Sequence, residues 1–299
     1  MASIQNFFIR SFLKIASKKK QVANQPIEVT RKRLAKLMEK NKCPGNISFE
    51  KVDCDGIIAE WNIPKNINND GVILYIHGGA YVSCSINTHR PLVARIAKAS
   101  KLKALSIEYR YAPENPFPAG LDDAIKAYHW LLKQGVDPKK IVIMGDSAGG
   151  GLALATLLRL RDEKAPMPVA GVCMSPWIDL ECLQDSNVRL ADKDPMLWAE
   201  AGKKFAKLYA GKESLRHPYV SPYYADLKGL PPLFIQVSDS EIVYDENVNF
   251  EKKAKAAGVE ITLEIWKKMV HVWQGFAPIL PEGTEAIRKI GNFIQNKIG

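Results

Sequence analysis

Residues 141–151 read Ile141-Val142-Ile143-Met144-Gly145-Asp146-Ser147-Ala148-Gly149-Gly150-Gly151, and this stretch decides how the rest of the chain is interpreted. A short apolar run ends at Gly145 and a helical pattern follows Ser147, which predicts a strand, a tight turn and a helix. In the pattern Gly-x-Ser-x-Gly, a strained turn projects the serine hydroxyl from the end of a parallel sheet. Free N–H groups at the helix start point at any negative charge that forms there. Ser147 is therefore a candidate nucleophile, with a purely structural glycine-rich turn as the alternative.

Short, often β-branched runs alternate with helical patterns from residue 72 onward. This alternation is typical of βαβ units in a mostly parallel sheet flanked by helices. We expect an α/β fold with eight strands, the first two forming a hairpin: Ile47–Val52, Gly56–Ile63, Val72–Ile76, Ala104–Glu108, Ile141–Met144, Val169–Met174, Leu233–Val237 and Ile261–Trp266.

Two segments lie outside this alternation. Near the N-terminus, Ile4, Phe8, Phe12 and Ile15 recur at helical spacing, and residues 27–40 repeat the pattern, so two amphipathic helices need a surface to cover. A second segment, rich in aromatic residues, separates two strands and is long enough to be a lid. We expect both to form a helical cap, with residues 1–45 and 183–226 in the cap and residues 46–182 and 227–299 in the core.

The chain is basic, with 42 Lys and Arg residues, 32 Asp and Glu residues and a net charge of +10. The first 42 residues hold eleven basic and two acidic residues, so the remaining 31 basic and 30 acidic residues nearly cancel. An almost neutral body argues against nucleic-acid binding. We expect the basic segments Phe7–Lys20 and Arg31–Lys42 to be solvent-facing helices with only weak attraction to anionic surfaces.

The cysteines indicate a reducing, cytoplasmic location. An odd and dispersed set without a Cys-x-x-Cys pair argues against a disulfide framework and a zinc site. No signal peptide is expected, because Arg10 and Lys14 interrupt the N-terminal apolar residues and no clear cleavage site follows. No uncharged apolar run is long enough to predict a membrane-spanning helix. The cysteines are Cys43, Cys54, Cys84, Cys173 and Cys182.

A serine hydroxyl becomes a good nucleophile when an imidazole takes its proton and a carboxylate orients that imidazole. His271 follows the last predicted strand, where a sheet of this kind presents its base. It is therefore the candidate base. The other histidines end an earlier strand or fall in or beside helices or the cap: His77, His89, His129 and His217.

The acid should follow the penultimate strand, where four carboxylates lie. Asp245 and Glu246 open the next helix, where the helix dipole gives acidic residues an ordinary capping role. Asp239 and Glu241 remain as candidates. With either one the chain order is serine, acid, histidine, which is the order of an α/β-hydrolase.

An oxyanion hole needs a second group of donors. His77-Gly78-Gly79-Ala80 follows the strand Val72–Ile76, and two successive glycines let backbone N–H groups approach a reacting carbonyl closely. This turn is therefore the candidate for that role.

The sequence contains three motifs in combination. They are His77-Gly78-Gly79-Ala80, Tyr109-Arg110-Tyr111-Ala112-Pro113-Glu114 with Pro116-Phe117-Pro118-Ala119, and Gly145-Asp146-Ser147-Ala148-Gly149-Gly150. In this combination the chain resembles the hormone-sensitive lipase family of α/β-hydrolases, which includes the bacterial family IV esterases. The resemblance covers roughly Gly71–Lys297. It implies the α/β-hydrolase fold, carboxylic-ester hydrolysis, a helical cap, and no metal or organic cofactor.

The resemblance also implies roles for individual residues. Ser147 is the nucleophile, His271 is the base, and the N–H groups of Gly78, Gly79 and Ala148 form the oxyanion hole.

The family motif Asp-Pro-Leu-x-Asp-Glu, laid on residues 241–246, makes Glu241 the acid in place of the commoner aspartate. Asp239 is the alternative acid. Ala80 replaces a third glycine, a departure that bears on access from the alcohol side.

The leading hypothesis is a serine carboxylesterase that acts on short- to medium-chain acyl esters through an acyl-enzyme. The aromatic and aliphatic cap residues indicate an apolar acyl pocket, with Tyr81, Trp177 and Trp273 as candidate walls. One alternative is a non-catalytic small-molecule receptor on the same fold. Another is a membrane-associated lipase that uses Phe7–Lys20 as an interfacial helix. A homodimer is a further option if Glu260–Lys267 is an exposed edge strand.

Overall fold

The computed structural model describes residues 2–16, 25–38, 42–68 and 70–299, so parts of both basic N-terminal segments lie outside the described residues. The described strands are β1 (Ile47–Asp53), β2 (Ile58–Pro64), β3 (Val72–Ile76), β4 (Lys103–Ile107), β5 (Ile141–Asp146), β6 (Ala170–Met174), β7 (Leu233–Ser238) and β8 (Ile261–Trp266). The described α-helices are α1 (Ile4–Ala16), α2 (Ile27–Met38), α3 (Ile86–Ser100), α4 (Ala119–Lys133), α5 (Ser147–Asp162), α6 (Asp185–Arg189), α7 (Ala199–Ala210), α8 (Tyr244–Ala256) and α9 (Pro281–Ile298).

All eight predicted strands are confirmed, and they form one sheet in the order β1-β2-β4-β3-β5-β6-β7-β8. β1 and β2 are antiparallel, β2 is antiparallel to β4, and every pair from β4 to β8 is parallel. Parallel strands end at one edge of a sheet, so the loops after β3, β5, β7 and β8 meet there. The register places Ile76 beside Gly145, which brings the turn after β3 next to the turn after β5.

The sheet buries both of its faces, as a parallel sheet requires. Side chains alternate along β3: Leu74 belongs to the larger apolar cluster, which also holds Leu152 of α5, whereas Ile73 and Tyr75 belong to a second cluster with Ile290 of α9. Both faces of the central strands are therefore packed. This packing fixes the position of each strand, and of the loop that follows it, relative to the neighbouring strands.

Helix α3 begins at Ile86, where Ser85 and Thr88 form a reciprocal capping box at its N-terminus. The short helix α6 was not predicted, since five residues carry too little periodicity to be recognised. Within the described ranges, no helix combines the length and apolarity that crossing a bilayer demands.

The orientation of α1 differs from the expectation. Ile4, Phe8, Phe12 and Ile15 were expected to cover the body of the protein, yet their side chains are 59–81% exposed. The opposite face of the helix packs instead, with Leu13 buried among Met269, Val270 and Trp273. Hydrogen bonds explain the choice, because the side chain of Asn6 and that of Arg10 both donate to the carbonyl of Lys268.

Candidate active site

Ser147 lies at the junction of β5 and α5, in the left-handed region of backbone space at φ 52°. Strain of this kind persists where the surroundings impose it. Here they do, because the turn is so tight that a Cβ on Gly149 would lie 2.2 Å from the carbonyl oxygen of Ile76. The carbonyl of Ser147 is also held by the N–H of Trp177 at 3.0 Å. The turn therefore fixes the direction of the serine hydroxyl.

Three side chains form a continuous hydrogen-bonded series. Nε2 of His271 lies 2.8 Å from Oγ of Ser147, and Nδ1 of His271 lies 2.6 Å from Oε1 of Glu241. With Nδ1 protonated, His271 donates to Glu241 and accepts the serine proton at Nε2. Glu241 is fully buried and His271 is 6% exposed. The structure thus brings together residues from the loops after β5, β7 and β8.

The environment of His271 favours its charged form. Burial alone would lower the pKa of His271, but the hydrogen bond and negative charge of Glu241, with smaller contributions from Asp194 and Asp146, raise it above the ordinary histidine value. A base with a raised pKa holds a proton more readily once the serine has released it.

Asp239 lies outside this series. Its Oδ1 accepts the N–H of Lys268 at 2.6 Å and lies 3.2 Å from the hydroxyl of Ser240. Its role in the structure is to tie the loop after β7 to the loop that carries His271. Of the two carboxylates that the sequence left open, Glu241 is the one that contacts the imidazole.

Two serines that sequence reasoning missed complete the surroundings of Glu241. Oε2 of Glu241 accepts the hydroxyl of Ser175 at 3.0 Å and the N–H of Ser238 at 2.6 Å. Both carboxylate oxygens are therefore bound, so the carboxylate cannot rotate away from His271 without breaking a hydrogen bond. Ser175 is the first residue after β6, and its position at a strand end was the available signal.

The turn after β3 is attached to the serine turn by Asp146. Oδ1 of Asp146 accepts the hydroxyl of Tyr75 at 2.6 Å and the N–H of Gly78 at 3.0 Å, while Oδ2 lies 3.2 Å from Nε2 of His89. Asp146 is buried, which by itself favours the neutral acid, but the charge of His89 and these hydrogen bonds lower its pKa.

The contact to Asp146 corrects one expectation. The N–H of Gly78 was expected to point at the substrate, but it is already donated to a carboxylate within the protein. The next two residues of this turn, Gly79 and Ala80, have φ values of 124° and 55°. On the other side of the site, Ala148 is the second residue of α5. Burial and the nearby His89 lower the pKa of His77 to about 3, so this imidazole is neutral at neutral pH.

The three candidate pocket residues do not share one location. The ring of Tyr81 lies 5.8 Å from that of Trp177 and stacks on Tyr209 of α7 at 3.8 Å between centroids. Trp273 is instead fully buried in the cluster beneath α1, where its ring lies 5.6 Å from that of Trp266. The expectation for Trp273 is therefore corrected, since it packs as a core residue under the loop that carries His271.

The N-terminal helices and the insertion after β6 both bind loops of the site. From α1, Arg10 donates to the carbonyls of Lys268 and Met269 at 3.0 and 3.2 Å and to that of Lys193 at 2.6 Å. From α2, Arg31 donates to the carbonyl of Val82 at 2.7 Å. These segments therefore hold the loop of His271 on one side and the turn after β3 on the other.

Comparisons with known proteins identify the family of the chain. A family model described as an alpha/beta hydrolase fold matches residues 73–275. An acetyl-hydrolase of Streptomyces hygroscopicus is 42% identical over 242 residues, which span 81% of this chain and 80% of that protein. Among solved structures, the esterase EstE5 soaked with p-nitrophenyl butyrate has a TM-score of 0.95 at 42% identity, with 99% of both chains covered. An esterase from the bacterial hormone-sensitive lipase family has a TM-score of 0.94 at 41% identity, with 100% of both chains covered. The chain therefore belongs to the α/β-hydrolase family, among the esterases of its hormone-sensitive lipase group.

Proposed function

We propose that this protein hydrolyses short-chain carboxylic esters, with Ser147 as nucleophile, His271 as general base and Glu241 as the acid that orients it. The observation that carries the proposal is the series of two short hydrogen bonds, 2.8 Å from Ser147 to His271 and 2.6 Å from His271 to Glu241. No other histidine of the described residues has this pair of partners.

The proposed reaction has two steps. His271 takes the proton of Ser147 as its oxygen attacks the ester carbonyl, and then gives that proton to the leaving alcohol as the acyl-enzyme forms. A water molecule, deprotonated by the same imidazole, releases the carboxylic acid and restores the serine. Glu241 stays ionised throughout and stabilises the imidazolium that forms in each step.

The negative oxygen of each tetrahedral intermediate needs backbone donors close to Ser147. We assign this role to the N–H groups of Gly79 and Ala148, with Ala80 in place of Gly78. Asp146 already occupies the N–H of Gly78. In this assignment Gly78 supports the hole by fixing the turn, and its neighbours contact the substrate.

We assign a short acyl chain to the substrate. Tyr81 directly follows the turn that carries the proposed hole, and the Tyr81–Tyr209 stack fills space beside α5, where the hydroxyl of Tyr81 would lie 2.4 Å from a Cβ on Gly151. Two relatives support a short chain: one is named an acetyl-hydrolase, and the EstE5 structure was soaked with a butyrate ester.

Residues 1–45 and 183–226 serve in this proposal as the cap over the site, with residues 46–182 and 227–299 as the core. The proposed location is the cytoplasm, which suits five free cysteines.

We also propose a homodimer through β8, the last strand of the sheet, where Ile265 is 47% exposed. Sedimentation of the purified chain tests this last point, and a monomer at all concentrations contradicts it.

Ser147→Ala tests the mechanism. We expect this variant to fold, to lose hydrolysis of p-nitrophenyl acetate and to lose covalent labelling by a fluorophosphonate. Retained turnover contradicts the proposal. A protein that binds esters without cleaving them, and is not labelled even as wild type, is instead a receptor.

The assignment of the acid is tested by a matched pair of isosteric variants. Glu241→Gln removes the charge that stabilises the imidazolium and should lower kcat by about a thousandfold or more. Asp239→Asn keeps an acceptor for the N–H of Lys268 and should stay within about tenfold of wild type. The reverse order would identify Asp239 as the acid.

A further inference from the structure

One face of α1 is apolar and faces solvent. Five of the thirteen exposed large apolar side chains among the described residues lie on this one helix, at 59–81% exposure: Ile4, Phe7, Phe8, Phe12 and Ile15. At 3.6 residues per turn they lie within an arc of about 140°. Soluble proteins rarely gather so many large apolar groups on one exposed patch unless the patch binds something.

The helix cannot bury this face by rotating. Asn6 donates to the carbonyl of Lys268 at 3.0 Å, Arg10 donates to three carbonyls, and Ser3 donates to Glu282 of α9 at 2.8 Å. Leu13 is 4% exposed on the same inner side. The polar and apolar contacts that anchor α1 therefore hold its aromatic face outward.

The charge of α1 favours one of the partners that could cover this face over the other. The described residues of α1 include two basic side chains, Arg10 and Lys14, and no acidic one, a net charge of +2. A second copy seated on α1 would bring two such positive segments together, which is repulsive. An anionic surface is attracted to the same charge.

We propose that the exposed face of α1 docks on the surface of an anionic lipid bilayer. A helix with aromatic and aliphatic residues on one face, Lys14 at its margin and no acidic residue matches an interfacial helix, which lies in the plane of the headgroups. The cytoplasmic leaflet of membranes is anionic and attracts basic segments close to its surface.

The position of α1 gives this docking a consequence for substrate choice, and that consequence rests on the proposed function. Arg10 of α1 donates to the carbonyls of Lys268 and Met269, in the loop that carries His271. The docked surface would therefore lie at the rim of the site. Esters that join a short acyl chain to an apolar alcohol, and so partition into the lipid surface, are the substrate class that such an arrangement favours.

Vesicle sedimentation tests the docking without using activity. The full chain, as wild type and as Ser147→Ala, is mixed with vesicles of phosphatidylcholine alone or of equal parts phosphatidylcholine and phosphatidylglycerol. We expect both proteins to bind the anionic vesicles about tenfold more strongly than the neutral ones, and added salt to weaken binding. Hydrolysis of p-nitrophenyl acetate is measured separately, so a failure of the esterase proposal is distinguishable from a failure of the docking.

Paired variants identify the surface. The double variant Phe8→Ser with Phe12→Ser should bind vesicles about tenfold or more weakly. It lacks two aromatic side chains that docking would bury in the lipid surface. Val188→Ser with Ile279→Ser is the matched control, since these two side chains are 83% and 67% exposed on other segments. Melting curves check that both variants fold.

Three results overturn the proposal. The first is wild-type binding to the anionic vesicles that is no stronger than binding to the neutral ones. The second is vesicle binding that this variant retains in full. The third is a dimer, detected by light scattering, that the variant abolishes while vesicles are never bound, which would make a second copy the partner.

Discussion

Oδ2 of Asp194 accepts the N–H of Ile242, the residue directly after Glu241, at 3.1 Å. Asp194 belongs to the insertion between β6 and β7, and it is 1% exposed. The carbonyl of Ile242 is held from the same insertion, by the hydroxyl of Ser186 at 2.6 Å and by the side-chain amide of Asn187 at 3.0 Å. Both backbone polar groups beside the proposed acid are thus held by the insertion, which makes Asp194 a positioning residue for Glu241.

We predict that Asp194→Asn lowers kcat by about tenfold, with a smaller change in KM. The amide cannot accept at every position where the carboxylate does, and a hydrogen bond to a charged group contributes about 1.5–3 kcal/mol. Steady-state kinetics on p-nitrophenyl acetate measure the effect. Asp192→Asn, an exposed neighbour, is the control and should match wild type. Equal losses in the two variants would contradict a positioning role.

The pH dependence follows from the raised pKa of His271. The imidazole must be neutral to accept the serine proton, so kcat/KM should fall as pH drops through a midpoint above the ordinary value of 6.5. Asp194→Asn removes a negative charge that favours the imidazolium. In this variant, the fall of kcat/KM at acidic pH should therefore occur at a lower pH than in the wild type. A purely structural defect would lower kcat/KM at every pH without shifting that midpoint.

Asp146 is predicted to support catalysis by accepting hydrogen bonds rather than by its negative charge. Asp146→Ala leaves the N–H of Gly78 and the hydroxyl of Tyr75 without their acceptor, and should lower kcat by about tenfold to a hundredfold. Asp146→Asn keeps Oδ1 as an acceptor and can donate to a neutral His89, so it should retain activity within about threefold. Equal losses in both variants would show that the negative charge itself is needed.

Gly149 is predicted to tolerate no side chain. A Cβ there would lie 2.2 Å from one backbone carbonyl oxygen and 2.4 Å from the next, and neither can move without shifting β3. Gly149→Ala should cost about 3 kcal/mol or more of stability, measured by denaturant unfolding. Gly275→Ala is the matched control, because a Cβ there meets nothing within 4 Å. A stable Gly149→Ala protein would contradict the described turn.

The sequence predicted the parts of this protein that follow a repeating rule. Every strand was recognised from its apolar run, and the ends of parallel strands lie at one edge, so Ser147, Glu241 and His271 could be proposed as neighbours before any coordinates. Asp239 and Glu241 are two residues apart after the same strand. Only the direction of each side chain separates them, and no periodicity encodes that direction.

The remaining features depend on contacts between distant segments. Ser175 and Glu241 are 66 residues apart, and Asp194 lies 48 residues before Ile242, with no local pattern that links either pair. The role of Gly78 was misjudged because its N–H is taken by a side chain from another loop. The apolar stripe of α1 was assigned to the interior by its periodicity, but polar anchors on the opposite face decided which side packs.

The contact between Arg10 and Lys268 spans 258 residues, so α1 is synthesised well before the carbonyls that hold it. At roughly 5–20 residues per second of translation, the interval is about 13–52 s. During that time α1 emerges as a basic, aromatic segment without its docking partner. Any factor that captures α1 as it emerges therefore competes directly with its later binding to the catalytic loop.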